Sequence, residues 1–200
     1  MIFNRPARFA SAWLPAPFLL CTLAACAPRA TVTLDQPHAP LSQRRLELSS
    51  DWSYTLSGGG AREVLLDFPL PGRKDGPRDF RLFVQLPDDQ PVAHTVRSDP
   101  SAARGFFLQE VGRMRGKTEF TGGTVRASRV FLQPGRRRID LHLECDDGTR
   151  ITGRALVEEN SEELSSFRRK FAADVLALHA ESQPTQPSAA PTASRPAPAP

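Results

Sequence analysis

The sequence predicts an all-β body, an antiparallel β-sandwich or jelly-roll-like domain, with one C-terminal amphipathic helix and a disordered tail. Three observations carry this prediction. Between residues 44 and 160 apolar side chains recur at alternate positions, the spacing that places them on one face of a strand. Glycine, proline and Asp-Gly clusters cut that region into short runs, as turns between strands do. After Asn160 the spacing changes to threes and fours, which is one face of a helix.

Taken in order, "RLELSSDWSYTLSGGG" holds Leu46, Leu48, Trp52, Tyr54 and Leu56 on even positions with polar residues between them. The triple glycine at 58–60 supplies a turn, and "REVLLDFPL" resumes the alternation with Val64, Leu66, Phe68 and Leu70. This pair predicts an antiparallel hairpin. "DFRLFVQLP" repeats the pattern with Phe80, Leu82, Val84 and Leu86, and "GFFLQEVGRM" and "TVRASRVFLQPG" read as further strands, with a register change near Val130 where the apolar phase shifts. In "RRRIDLHLECDDGTRITGRALV", Ile139, Leu141, Leu143 and Cys145 alternate with Arg138, Asp140, His142 and Glu144. Asp147-Gly148 fits a tight primed turn, and Ile151, Gly153, Ala155 and Val157 face the same interior. About eight to ten short strands without an internal repeat point to a sandwich or jelly roll rather than a propeller.

The helix, about 160–180, opens on Asn160 with Glu163 in a capping-box-like arrangement. Leu164, Phe167, Phe171, Val175 and Leu178 form its apolar stripe, with Arg168, Arg169 and Lys170 on the other side. That stripe either docks on the domain's own sheet or presents Phe167, Phe171 and Val175 to the groove of a partner. Beyond it, residues 181–200 are rich in proline and carry no apolar side chain larger than alanine, so they predict a disordered, extended tail.

The beginning of the chain has a different character. "MIFNRPAR" carries Arg5 and Arg8, and the next seventeen residues carry no charge, the order of a secretory signal. A spanning helix needs about twenty predominantly apolar residues, and Pro15 and Pro17 interrupt this run. Leu23, Ala24, Ala25 and Cys26 follow. This stretch resembles the lipobox of bacterial lipoproteins, a resemblance confined to the leader. It implies that Leu23, Ala24 and Ala25 are recognised by a signal peptidase, that the chain is cut before Cys26, and that Cys26 carries the lipid. Ala27 in place of an aspartate implies, by the enterobacterial version of the pattern, an outer-membrane protein facing the periplasm in a diderm cell. The expected organisation is a signal peptide at 1–25, a lipidated N-terminus and tether at 26–43 with at most one short edge strand, a body at 44–180 and the tail at 181–200.

Cysteine usage agrees with reliance on packing. Cys21 leaves with the leader and Cys26 is taken by lipid, so Cys145 remains alone and no internal disulfide forms. Its place at the end of an alternating run predicts a core side chain. The formal charge of +4 falls to +2 once Arg5 and Arg8 are removed. The clusters Arg113, Arg115, Lys117 and Arg136, Arg137, Arg138 either solvate turns or meet anionic lipid headgroups or glycan phosphate. No basic-aromatic interleaving suggests nucleic acid.

Catalytic motifs are missing: no G-x-S-x-G, H-E-x-x-H, P-loop or paired C-x-x-C occurs. The one chemical constellation is "DLHLE", where Asp140, His142 and Glu144 share a strand face and are weak candidates for metal ligation or for a histidine base. His94 reads as a surface or half-buried imidazole. Trp52 and Tyr54 are candidates for glycan contact, although their phase with Leu46 and Leu48 places them in the core. The expectation is a non-enzymatic, cofactor-free envelope lipoprotein, bound to membrane through Cys26 and acting as an interaction or structural module beside another envelope protein. The competing expectations are an envelope enzyme or metal-binding protein using Asp140, His142 and Glu144, and a glycan-binding sandwich.

Overall fold

Ten strands and two helices make up most of the described backbone in the computed structural model, which describes residues 29–180 apart from 42–43, 59–60, 71–77, 89 and 98–100. The strands are β1 (Ala30–Asp35), β2 (Arg45–Ser50), β3 (Trp52–Gly58), β4 (Ala61–Pro69), β5 (Arg78–Leu86), β6 (Ala93–Thr95), β7 (Arg104–Val111), β8 (Met114–Val130), β9 (Gln133–Cys145) and β10 (Arg150–Glu159). The helices are α1 (Ser161–Lys170) and α2 (Ala172–Ala180). The lipobox residues Leu23, Ala24, Ala25 and Cys26 and the tail at 181–200 lie outside the described residues.

The all-β expectation holds, but strand pairing produces a closed barrel where the alternation anticipated a sandwich or jelly roll. Strands β3, β4, β5, β7, β8, β9 and β10 form a ring of 7. Neighbours run antiparallel except at the closure, where β10 lies parallel to β3 over Glu158↔Tyr54 and Glu159↔Thr55. Period two reports that a strand has one apolar face. It does not report whether such faces oppose one another in two sheets or curve around one axis. In a barrel this narrow, side chains fill the interior: Val64, Leu66 and Phe68 from β4 meet Leu82, Val84 and Leu86 from β5, and Val125, Ile139, Leu141, Leu143, Ile151 and Val157 from the other wall.

β10 is the hub of the ring. Its first half, Arg150–Ala155, pairs with β1 along one edge and with β9 along the other, before its last residues switch to β3. β1 therefore lies inside the sheet between β2 and β10, and Ala30, Val32 and Leu34 are 0%, 1% and 0% exposed. This corrects the tether expected up to residue 43: the sheet takes up the chain at Ala30. Two prolines of that stretch, Pro37 and Pro40, occupy the connection from β1 to β2 instead.

The turns follow local chemistry. The β3–β4 hairpin predicted from the triple glycine is present, with Gly58 opposite Ala61. Asp147-Gly148 turns the chain, though not as a primed turn: the Gly148 amide donates to the Cys145 carbonyl and the Cys145 amide to the Thr149 carbonyl. Gly148 alone in this loop has a positive φ, 79°, the three-residue connection that ends in a glycine bulge. The register change near Val130 is also present, since Arg129 pairs with Arg137 but Val130 pairs with Gln133.

A second core lies outside the barrel wall. α1 and α2 lay Leu164, Phe167, Phe171, Val175 and Leu178 over Tyr54, Leu65, Phe83, Phe106 and Leu108. The Asn160 side chain accepts the amides of Glu162 and Glu163, both at 3.1 Å, which satisfies donors that the first turn leaves unpaired. The single helix expected is broken in two at Phe171, with φ −117° and ψ 34°. Hydrogen bonds nevertheless run through the break, from the Phe171 amide to Phe167 and from the Val175 amide to Phe171. Because the helices cover it, β4 is buried on both faces from Arg62 to Pro69.

A charged seam between helices and barrel

Double burial forces polar residues on the outer faces of β4, β5 and β7 to find partners, because an unpaired charge taken from water is costly. Glu63, Asp67, Asp79, Arg81 and Arg104 are 2% to 9% exposed. The Glu63 Oε2 atom accepts from Arg168 Nε at 2.8 Å and Nη2 at 2.5 Å, tying β4 to α1. The Arg104 Nη1 atom donates to the Leu178 carbonyl at 2.6 Å, a cation on the last turn of α2 where the helix presents unpaired carbonyls. Arg115 pairs with Asp174, fastening α2 to the start of β8.

These charges converge on Phe171. The Arg81 and Arg115 guanidinium carbons lie 5.1 Å from its ring centroid and the Lys170 ammonium 5.0 Å, within cation–π range. Arg81 also reaches Asp67 at 3.5 Å and donates to Glu110, which takes a second bond from Lys170 at 3.1 Å. Beside this cluster opens a cleft of ≈ 460 Å³ lined by Asp79, Arg81, Glu110, Arg113, Met114, Arg115 and Lys170. Asp79 Oδ2 is buried there without a hydrogen-bond partner among the described residues. The arrangement interleaves acids and bases along a helix–barrel seam, and its chemistry is that of a clamp.

Glu110 makes the seam sensitive to acid. Burial works to raise its carboxyl, and the hydrogen bonds from Lys170 and Arg81, with their charges, outweigh that, leaving it below its ordinary 4.5. A carboxyl depressed in the folded state contributes stability that is full above its unfolded value and disappears as the pH falls through the folded one. Glu110→Gln is therefore expected to lower the melting temperature at neutral pH and to flatten its decline below pH 4.5. Thermal unfolding of both proteins across that range measures it, and a variant whose acid limb matches the parent's would remove Glu110 from this account.

The candidates read from sequence fall elsewhere. Asp140 is half-buried and His142 and Glu144 are exposed on the outer face of β9. Asp140 sits opposite Arg154 and Arg126, His142 opposite Thr152 and Thr124, and Glu144 opposite Arg150 and Gly122. Among the described residues no three His, Cys, Asp or Glu side chains gather where they could hold a metal. Alternate residues along a strand stand about 7 Å apart, whereas metal–ligand bonds are about 2 Å. The partner-binding candidates Phe167, Phe171 and Val175 are 5%, 2% and 6% exposed against the chain's own barrel, so that face is already occupied. Tyr54 is buried in the same core, and Trp52, partly buried, packs against it. His94 is more enclosed than expected, 7% exposed, with Nε2 3.5 Å from Asp88. The Cys145 thiol is pushed up to about 12 by burial first and by the neighbouring Asp147 and Asp146 second, which leaves no reactive thiolate at neutral pH.

Of the basic clusters, Arg115 and Lys117 face the helices, Arg115 through Asp174 and Lys117 5.3 Å from the Phe106 ring. The seam residues Glu63, Asp67, Arg81 and Glu110 were not singled out by motif. One signal was available: Asp67 and Arg81 interrupt strongly apolar runs and stand opposite each other in register, an acid–base pair inside two hydrophobic strands. The chain matches no protein-family model, no curated protein and no solved structure.

Proposed function

We propose that the chain is a lipid-anchored, non-enzymatic lipoprotein of the cell envelope, a structural or interaction module fixed to the outer membrane and facing the periplasm in a diderm cell. The observation that carries this reading is the shortness of the step from lipid to fold. β1 begins at Ala30, four residues after the lipobox Cys26, and such a segment reaches at most about 14 Å. A lipid on Cys26 would hold the barrel against the bilayer instead of letting it range on a tether. The ion pairs that tie helix to barrel across the seam, Glu63–Arg168 and Glu110–Lys170, support a role through contacts. The partner in that role is another protein of the same envelope assembly.

Cys26→Ser is expected to move the protein from the membrane to the soluble extracytoplasmic fraction. Retention of that variant in the membrane would overturn the anchor. A thiol count gives an independent reading. Of the 3 cysteines, the processed, lipidated protein keeps Cys145 alone as a free thiol. An alkylating reagent should label none in the native protein, because the Cys145 pKa stands near 12, and one after denaturation. Three labelled thiols in the denatured membrane form would mean that the leader is neither cut nor lipidated.

A further inference from the structure

The β8–β9 hairpin ends in two large apolar residues with nothing over them among the described residues. Phe131 is 87% exposed and Leu132 84% exposed, and together they form the two-residue turn between Val130 and Gln133. Turns favour glycine, asparagine or aspartate, above all where φ is positive. Leu132 has φ 59°, the one positive value among the described non-glycine residues. A leucine there carries backbone strain and exposes its side chain to water, so stability does not account for the choice.

The surroundings of the tip are basic. Arg129, Arg136, Arg137 and Arg138 flank it on the two strands. Arg29 joins them, because Glu158 bridges to Arg29 at 2.7 Å and to Arg136 at 3.7 Å. The acids at this end are Glu158, Glu159 and Asp51, so arginine predominates. The same bridge locates the entry of the chain: Arg29, three residues after Cys26, emerges at the end of the barrel where the hairpin tip projects.

We propose that the β8–β9 tip is a membrane-contact site, with Phe131 and Leu132 entering the headgroup layer and the flanking arginines meeting anionic lipid. Apolar side chains with a basic rim are the composition that seats a segment at a bilayer interface. The orientation rests on the lipid anchor at Cys26, which places tip and bilayer at one end; the affinity of the tip for lipid does not.

The test uses the full chain carrying Cys26→Ser, recovered from the soluble fraction, with Phe131→Trp as reporter and its Phe131 parent as the background for Trp13 and Trp52. Vesicles contain brominated lipid, either with phosphatidylglycerol or with phosphatidylcholine alone. The reporter is expected to be quenched and blue-shifted on the anionic vesicles and about tenfold less responsive on the neutral ones. Arg129→Gln with Arg138→Gln is expected to erase that difference. An unquenched reporter on anionic vesicles overturns the proposal while leaving the anchor intact, since fractionation of the lipidated protein reads the anchor separately. A reporter that shifts with protein concentration in buffer alone overturns it in favour of a second copy as the occupant. Leu132→Gly adds a readout that a merely structural turn would not give: it should raise the melting temperature by relieving φ and weaken vesicle binding at once. A stability gain with binding unchanged overturns the role of Leu132.

Discussion

Phe167→Ala is expected to lower the unfolding free energy by about 3–5 kcal/mol, the range for removing a large buried aromatic. Phe167 is 5% exposed, with its ring centroid 5.2 Å from Phe83, 6.4 Å from Phe106 and 4.8 Å from Phe171. It is the ring through which α1 reaches both β5 and β7. Removing it leaves a cavity between helix and barrel that the strands cannot close, because their other face is packed into the interior. The helices should loosen before the barrel does. Urea unfolding followed by far-ultraviolet dichroism should show an early helical phase in the variant, where the parent unfolds in one step. An unchanged midpoint would mean that the seam's ion pairs alone hold the helices, and that the aromatic stack is incidental.

Gly123→Ala is expected to be almost as damaging, on the order of 3 kcal/mol from strain and overpacking together. Gly123 has φ 108°, where a side chain is disfavoured. A Cβ there would collide with the carbonyl oxygen of His142 on the adjacent strand. The position follows the bulge at which β8 skips Thr121 to pair Phe120 with Cys145 and Gly122 with Glu144. That bulge bends a strand of 17 residues so that one end serves β7 and the other β9. Alanine would force the ladder apart beside the bulge. Denaturant unfolding measures the loss, and a variant within about 0.5 kcal/mol of the parent would show that the bulge tolerates the collision by a local shift.

The parts of this fold legible in sequence were those set by near neighbours. The alternation of Ile139, Leu141, Leu143 and Cys145, the cap at Asn160 and the stripe from Leu164 to Leu178 all depend on residues within a few positions of one another, and the structure has them. Closure depended on distant partners. Nothing local in Glu158 or Tyr54 signals that they pair, and nothing in "ATVTLD" distinguishes an interior strand from an edge one. The run of even-numbered apolar residues from Leu46 to Leu56 misleads for a further reason. Leu48 packs in the barrel and Tyr54 under the helices, because the chain bends at Asp51 between β2 and β3. A constant phase thus conceals a change of side. The candidate site suffered likewise, since Glu63 and Arg168 stand 105 residues apart and only the fold brings them together.

The placement of β10 as the hub has a consequence for how the molecule comes into being. β1 is the first strand of the chain and β10 the last, yet β1 joins the ring through β10. A polypeptide emerging from a ribosome or translocon with its N-terminus leading has no partner with which to shut the cylinder until its final strand arrives. Topologies dominated by such distant pairings assemble on the millisecond-to-second scale and leave strand edges bare meanwhile. Under the export proposed above, the delay would work in the chain's favour, because it could not lock into shape before the crossing is finished.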